Sequence, residues 1–326
     1  MATKALQDIV TLVDQLKMVG PNGEVMTVAD TLSEKNEYMI DAAMEQANDV
    51  FAHQTSVPVS LGQIKPRNIN AGAESSAPKL KQVIDQIMLI DVITEVDEEL
   101  VDNMPDPNKA RWNHAKLRLE AAAQEMARIM TYGNRGVDAR EIDGFNVRYN
   151  ALSLDNVVGA GASGGTSVLM VEWGPMKCSM IYPRGAKNAG IEDLPKPQKM
   201  RITDASNNPY FAYIHQVKAR FGLSVIDDRC VQRIANVGVA ENTTNNLLTA
   251  NGMNLLVYAR NRLPSFGRNA VIYCNRTTKS QFDIYALDKS NGFYTKEDIT
   301  GEPLTVFQGI PIRMVEQILT TETAVS

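Results

Sequence analysis

The residues of this 326-residue chain whose types suit chemistry are few and scattered. His53, His114 and His215 are its three histidines. Histidine titrates near neutral pH and ligates metals. Each of these lies in a different stretch, with no nucleophile, base or second ligand at a working spacing. Cys178, Cys230 and Cys274 are odd in number and far apart, and they read as reduced residues of a cytosolically made protein. Asp97-Glu98-Glu99 and Asp227-Asp228 are acidic runs that solvent normally carries, and no calcium-loop pattern surrounds either. G-x-S-x-G, H-E-x-x-H and C-x-x-C are all missing. Asn242-Thr243-Thr244 and Asn275-Arg276-Thr277 fit glycosylation acceptors, but no secretory signal accompanies them. No catalytic residue, cofactor site or metal site is assigned.

One glycine run needs a closer test. Gly159, Gly161 and Gly164 match G-x-G-x-x-G, the pattern that cradles a pyrophosphate at a helix N-terminus. The run leads into TSVLMVEWG, which reads as a strand, and no lysine follows to make a phosphate-binding loop. The stretch is expected to be a loop.

The elements that any function must use are clearer. Asp106 to Gly133 reads DPNKARWNHAKLRLEAAAQEMARIMTYG, with a capping Asp106, Pro107 at the first helical position and Gly133 past the end. Trp112, Ala115, Leu119, Ala122, Met126 and Ile129 recur every three or four residues. Arg111, Lys116, Arg118, Glu120, Glu125 and Arg128 take the opposite face. About 26 residues at 1.5 Å give a rod of roughly 39 Å. Tyr210 to Phe221 alternates as a half-buried strand of roughly 40 Å and is the surface predicted for that rod.

Before the helix, Leu6, Ile9, Val13 and Leu16 suggest one short helix and Thr31 to Val50 a second, together an arm with too little apolar surface for its own core. Phe51 to Leu100 reads as a long, irregular β-hairpin interrupted by Pro58 and Gly62. Its open edges hint at a partner. After the helix, Ser167 to Tyr182 is read as two strands bent at Gly174-Pro175, and Pro183 to Pro209 as an irregular excursion. The last third, with helices at Asn251 to Arg262 and Thr277 to Leu287 and strands at Ala270 to Cys274 and Val306 to Val315, reads as a compact α/β region.

A hydrophobic content of 44% and a charged content of 22% are ordinary for a globular chain of one or two domains. No apolar run is long enough to span a membrane. The formal net charge of −5 hides an asymmetry: Met1 to Asp106 hold about 18 acidic and 7 basic side chains, the remainder about 20 and 26. Either the two regions are solvated differently, or acidic arms lie across basic bodies of neighbouring copies.

Several motifs in fixed order carry a resemblance. MARIMTYGN (126–134), DGFNVRYNALS (143–153), VEWG (171–174), YPRGAKNAGIEDL (182–194), FGLSVIDDRCVQRIANV (221–237), YCNRTT (273–278) and FQGIPIR (307–313) resemble the major capsid proteins of tailed bacteriophages, especially short-tailed, podovirus-like ones. The resemblance runs from about Thr55 to the last residue. It implies an α+β fold of the Hong Kong 97 type, with an N-terminal arm (1–50), an extended β-hairpin loop (51–100), a peripheral domain (101–237) and an axial domain (238–326). The peripheral domain would carry a spine helix (107–132) on long strands. Because the strand pair precedes the compact α/β region, a permuted segment order is expected. The implied function is a structural one, not enzymatic: copies assemble as hexamers and pentamers into an icosahedral shell around double-stranded DNA. The implied partners are other copies, a scaffold, a portal, a cementing protein, and packaged DNA held without sequence preference. No cofactor, metal or membrane is implied. No fused scaffold segment is expected. The protein would be made in the bacterial host cytoplasm and end in the virion. The alternatives are an encapsulin-like nanocompartment shell and, further off, a soluble nucleotide-binding enzyme using the Gly159 to Gly165 loop.

Overall fold

The computed structural model describes residues 36–72, 76–104, 106–186, 191–193, 198–204, 206–239, 250–287, 294–298 and 303–326. In chain order its elements begin with α1 (Glu37–Asp41), β1 (Met44–Gln46), β2 (Ala52–Ser60), β3 (Lys79–Asp97), α2 (Glu98–Asp102) and α3 (Pro107–Tyr132). Then come α4 (Phe145–Arg148), β4 (Val157–Gly159), β5 (Gly164–Glu172), β6 (Cys178–Tyr182), β7 (Ile191–Asp193), β8 (Gln198–Thr203) and β9 (Pro209–Val225). The chain continues through β10 (Val231–Val237), α5 (Ala250–Arg262), β11 (Ala270–Cys274), α6 (Arg276–Leu287), β12 (Tyr294–Asp298), β13 (Pro303–Phe307), β14 (Ile310–Met314) and β15 (Glu322–Thr323). The described residues divide into two compact units, one holding Asn36 with those of 89–127 and 191–220, the other those of 37–88, 128–186 and 221–326.

In the first unit the rod meets the long strand through a residue expected on its other face: Arg111 of α3 stacks its guanidinium over the Tyr213 ring of β9, 4.6 Å from the centroid, and the Tyr213 hydroxyl donates to Asp102 at 3.1 Å. β8 pairs antiparallel with β9 from Gln198↔Ile214 to Thr203↔Pro209, and β7 pairs from Ile191↔Ala219. Part of the irregular excursion expected between Pro183 and Pro209 is therefore sheet. The helix spans the range expected for it.

The second unit is built on an eight-stranded sheet in the order β12-β13-β14-β11-β5-β10-β4, with β15 pairing β5. Val168, Met170, Ile234 and Ile272 fill one face of it and meet Leu256 of α5 and Phe282 of α6. Among the aromatics of this unit, Tyr38 lies 4.4 Å from Tyr273 between centroids, and Phe145 lies 6.1 Å from Trp173. The last turns of α3, from Ile129 to Thr131, are buried in the same unit. Gly133 closes the helix for a steric reason: a Cβ there would sit 2.4 Å from the Ile142 carbonyl oxygen and 2.5 Å from that of Ile129. Within this unit β1 pairs with β6, and β6 pairs with the end of β9 from Gly222 to Val225. β2 and β3 form the expected hairpin, registered from Ala52↔Gln86 to Ser60↔Lys79.

The two strands expected over Ser167 to Tyr182 are β5 and β6, and they join different sheets: β5 lies between β10 and β11, while β6 pairs with β9 and β1. The chain changes sheets across Gly174–Lys177. A boundary after residue 237 therefore cuts through one sheet, because β5 and β10 from before it share the sheet with β11 and β14 from after it. Antiparallel pairing along 231–237 is what holds those segments together, and no local sequence pattern reports it. The helix expected over 31–50 is only α1 within the described residues, followed by β1, since pairing of Met44–Gln46 with Met180–Tyr182 overrides local propensity. The helix expected around Leu6 to Leu16 lies outside the described residues.

Candidate assembly surfaces

The residues that could do chemistry are held in structural roles. His53 accepts from the Asn48 backbone N–H at 3.3 Å, and His114 is buried on α3. His215 lies on β9, so the three are not brought together. No group of His, Cys, Asp or Glu able to hold a metal ion occurs among the described residues. The three cysteines are buried free thiols, and burial pushes Cys230 and Cys274 up to about 12. At neutral pH they stay protonated and are poor nucleophiles. Asp97 caps α2 by accepting from the Glu99 N–H at 2.9 Å, and Glu98 pairs with Lys199. Asp227 pairs with Arg229 at 2.8 Å, and that hydrogen bond holds its carboxyl below the usual range. The glycine run leads from β4 into β5 with no helix between them. Gly165, at φ 137°, comes so near the Val237 carbonyl that a Cβ would lie 2.2 Å from the oxygen. These glycines serve strand packing.

Two buried ionic groups, which the sequence reading did not single out, brace the second unit. Glu322 on β15 accepts from Tyr132, Ser167, Asn146 (2.9 Å) and Arg233 (3.0 Å). Arg233 also donates to the Asn146 and Tyr149 carbonyls at 3.1 and 2.7 Å. Burial draws the Arg233 guanidinium below its usual range despite the carboxylate beside it. A cavity of about 430 Å³ lies beside this group. The second pair roots the hairpin: Asp85 of β3, buried at 3% exposure, accepts from Arg148 at 2.8 Å, and Arg148 also donates to the Leu223 carbonyl at 3.1 Å. Burial opposes the Arg148 charge, but Asp85 outweighs it and raises the pKa. Asp85 was detectable: it sits between Val83 and Ile87 at an inward position of an alternating strand. Glu322 gave no such signal, because its partners are far away in sequence. Residues 37–49, expected to be part of an arm that docks on another surface, dock on their own chain: Asp41 accepts from Tyr273 (3.1 Å) and Arg313 (3.2 Å), and Ser179 donates to Glu45 at 2.7 Å.

What remains open is the hairpin beyond this root. No residue of β2 is buried. Ile64 and Ile69 are 99% and 92% exposed, and Val59, Leu61 and Leu80 are exposed as well. An extended strand pair with exposed apolar side chains is a template for association with another chain.

The sequence matches the family model described as Major capsid protein GP7 over residues 20–326. The chain belongs to that family. A cryo-EM structure of bacteriophage Epsilon15 aligns with a TM-score of 0.73 and 24% identity, covering 98% of each chain. The bacteriophage JBD30 capsid aligns at 0.53 and 10%, covering 88% of this chain and 93% of that one. An encapsulin from Synechococcus elongatus aligns at 0.42 and 11% over 75% of this chain and 99% of its own, too remote to argue from. A comparison with curated proteins returned no match. This major capsid protein therefore has the α+β, Hong Kong 97-type fold and is a structural subunit of a phage shell and virion. No helix among the described residues is long and apolar enough to cross a membrane.

Proposed function

We propose that this capsid protein associates as hexamers and pentamers that close an icosahedral shell around packaged double-stranded DNA. The observation that carries the reading is the hairpin: it is rooted by the buried Asp85–Arg148 pair, yet its far end exposes apolar side chains on open strands. Repetition with closed symmetry covers such edges between copies. Residues up to 36 act as the arm, 51–100 as the extended loop, the unit carrying most of α3 as the peripheral domain, and the eight-stranded sheet with α5 and α6 as the axial domain. Assembly is guided by a scaffold and a portal, with a cementing protein outside. DNA is held by weak, salt-dependent contacts without sequence preference. The protein is made in the host cytoplasm before it enters the virion.

Negative-stain microscopy of the expressed protein, with nuclease protection of particles from infected cells, tests this. Closed shells that protect DNA are expected. Discrete monomers, or shells that enclose protein cargo and no DNA, would overturn it.

A further inference from the structure

The side of α5 that faces away from the sheet is basic, aromatic and rich in amides. Met253, Leu256, Ala259 and Leu263 are buried in the core, so Asn254, Tyr258, Asn261 and Arg262 take the outward side and are exposed. Asn254, Tyr258 and Arg262 follow one another every four residues, about 6 Å apart along the axis. Beyond the helix, the turn into β11 exposes Phe266, Arg268 and Asn269. Tyr258 is 60% exposed and Phe266 66%. Between Glu241 and Asp283 the sequence holds no Asp or Glu.

The turn is fixed, and it keeps the Phe266 ring outside. Phe266 lies at φ 54° and Asn269 at φ 60°, and a bulky residue is uncommon in that left-handed region. A Cβ on Gly267 would meet Ile310 Cδ1 at 2.5 Å, so the turn packs tightly against β14. Arg260 braces the same corner by donating to Gln308 at 3.0 Å. The two outer cations are uncommitted. Arg140, Lys199, Arg229 and Arg276 each pair with a carboxylate, whereas neither Arg262 nor Arg268 has such a partner among the described residues. Arg262 donates to the Asp155 carbonyl at 2.6 Å, which places that exposed acid beside it. Glu172, which accepts from the Ser265 backbone at 3.4 Å, is buried and paired with Lys177. A helix C-terminus favours cations in its last turn, which accounts for Arg260 and Arg262. It does not account for Arg268 or for two exposed rings.

We propose that this corner of the second unit holds the backbone of the duplex DNA packaged in the shell. Guanidinium, amide and phenol groups donate to phosphate oxygens without reading sequence, and the Phe266 ring lies against the sugars. The inference rests on the reading of a shell around DNA and adds the surface that meets the DNA. A few phosphate contacts per copy are weak alone and add up over the many copies of a shell.

Two experiments test it. In the first, DNA-filled particles from infected cells are irradiated with ultraviolet light and digested with trypsin, and DNA-linked peptides are identified by mass spectrometry. The peptides ending at Arg260 and Arg268, which carry Tyr258 and Phe266, are expected among them. DNA linked only to other peptides overturns this surface while leaving the capsid reading intact; particles without DNA overturn both. A corner linked to another protein chain and not to DNA also overturns the proposal. In the second, the purified subunit is titrated with a fluorescent DNA duplex across a range of salt concentrations. Arg268→Gln lowers the slope of log K against log salt by about 0.9, and Arg262→Gln with Arg268→Gln by about 1.8. Tyr258→Ala with Phe266→Ala weakens binding roughly tenfold and leaves the slope unchanged. An unchanged slope in the arginine variants, or no binding by the unmodified subunit at low salt, overturns the proposal. Thermal melting checks that each variant folds, and Arg268→Gln keeps the test valid where loss of the Asp155 contact destabilises the double variant.

Discussion

Strands β10 and β2 are both short but have opposite fates. Every residue of β10 is buried, flanked by β5 and β4, while no residue of β2 is. β10 completes its contacts within its own chain, down to Arg233, whose guanidinium is matched by Glu322 and two carbonyls. β2 pairs on one edge with β3, and its hairpin carries exposed Val59, Leu61 and Ile64. One region is finished by folding. The other, in the proposed assembly, is finished by a neighbour. A substitution in the first should register as lost subunit stability, and one at the tip of the second as lost assembly.

The largest effect is expected at Glu322→Ala. It strands the Arg233 guanidinium in the interior and should cost about 3–5 kcal/mol, read by denaturant unfolding. Asp85→Ala removes the partner of Arg148 at the hairpin root and should cost a similar or slightly smaller amount, with the hairpin amides losing hydrogen-exchange protection. Gly165→Val forces a side chain into the left-handed region and against the Val237 carbonyl, and should cost about 1–3 kcal/mol.

Alkaline pH produces a more gradual change. The thiols of Cys230 and Cys274 are raised from 9.0 to about 12 by burial, and the buried hydroxyls of Tyr38, Tyr132 and Tyr273 are raised in the same direction. The unfolded chain loses these protons first. The native state then binds more protons than the unfolded one, so stability falls as pH rises from about 9 toward 12. Thermal melts across that window check the slope, and Cys274→Ala should make it shallower. The smallest stability effect belongs to the tip: Ile64→Ser should leave the melting temperature unchanged.

The long helix, the hairpin and the α/β elements of the last third were legible because each is written in local periodicity or capping. Pro107 at the first helical turn and alternation along Tyr210 to Phe221 are signals of that kind. Strand partnership was not legible. Nothing in residues 164–172 reports that they lie between 231–237 and 270–274, since that choice is made by contacts far apart in sequence. The same limit hid Glu322, which meets Tyr132, Asn146, Ser167 and Arg233 across long stretches of chain.

The central claim is that the hairpin tip is an assembly element and contributes nothing to the subunit's own fold. Ile64→Asp combined with Ile69→Asp tests it most directly, with thermal melting and sedimentation measured on one preparation beside the unmodified protein. The account predicts an unchanged melting temperature of the isolated subunit and loss of shells to slowly sedimenting species. Normal shells from the double variant would contradict it.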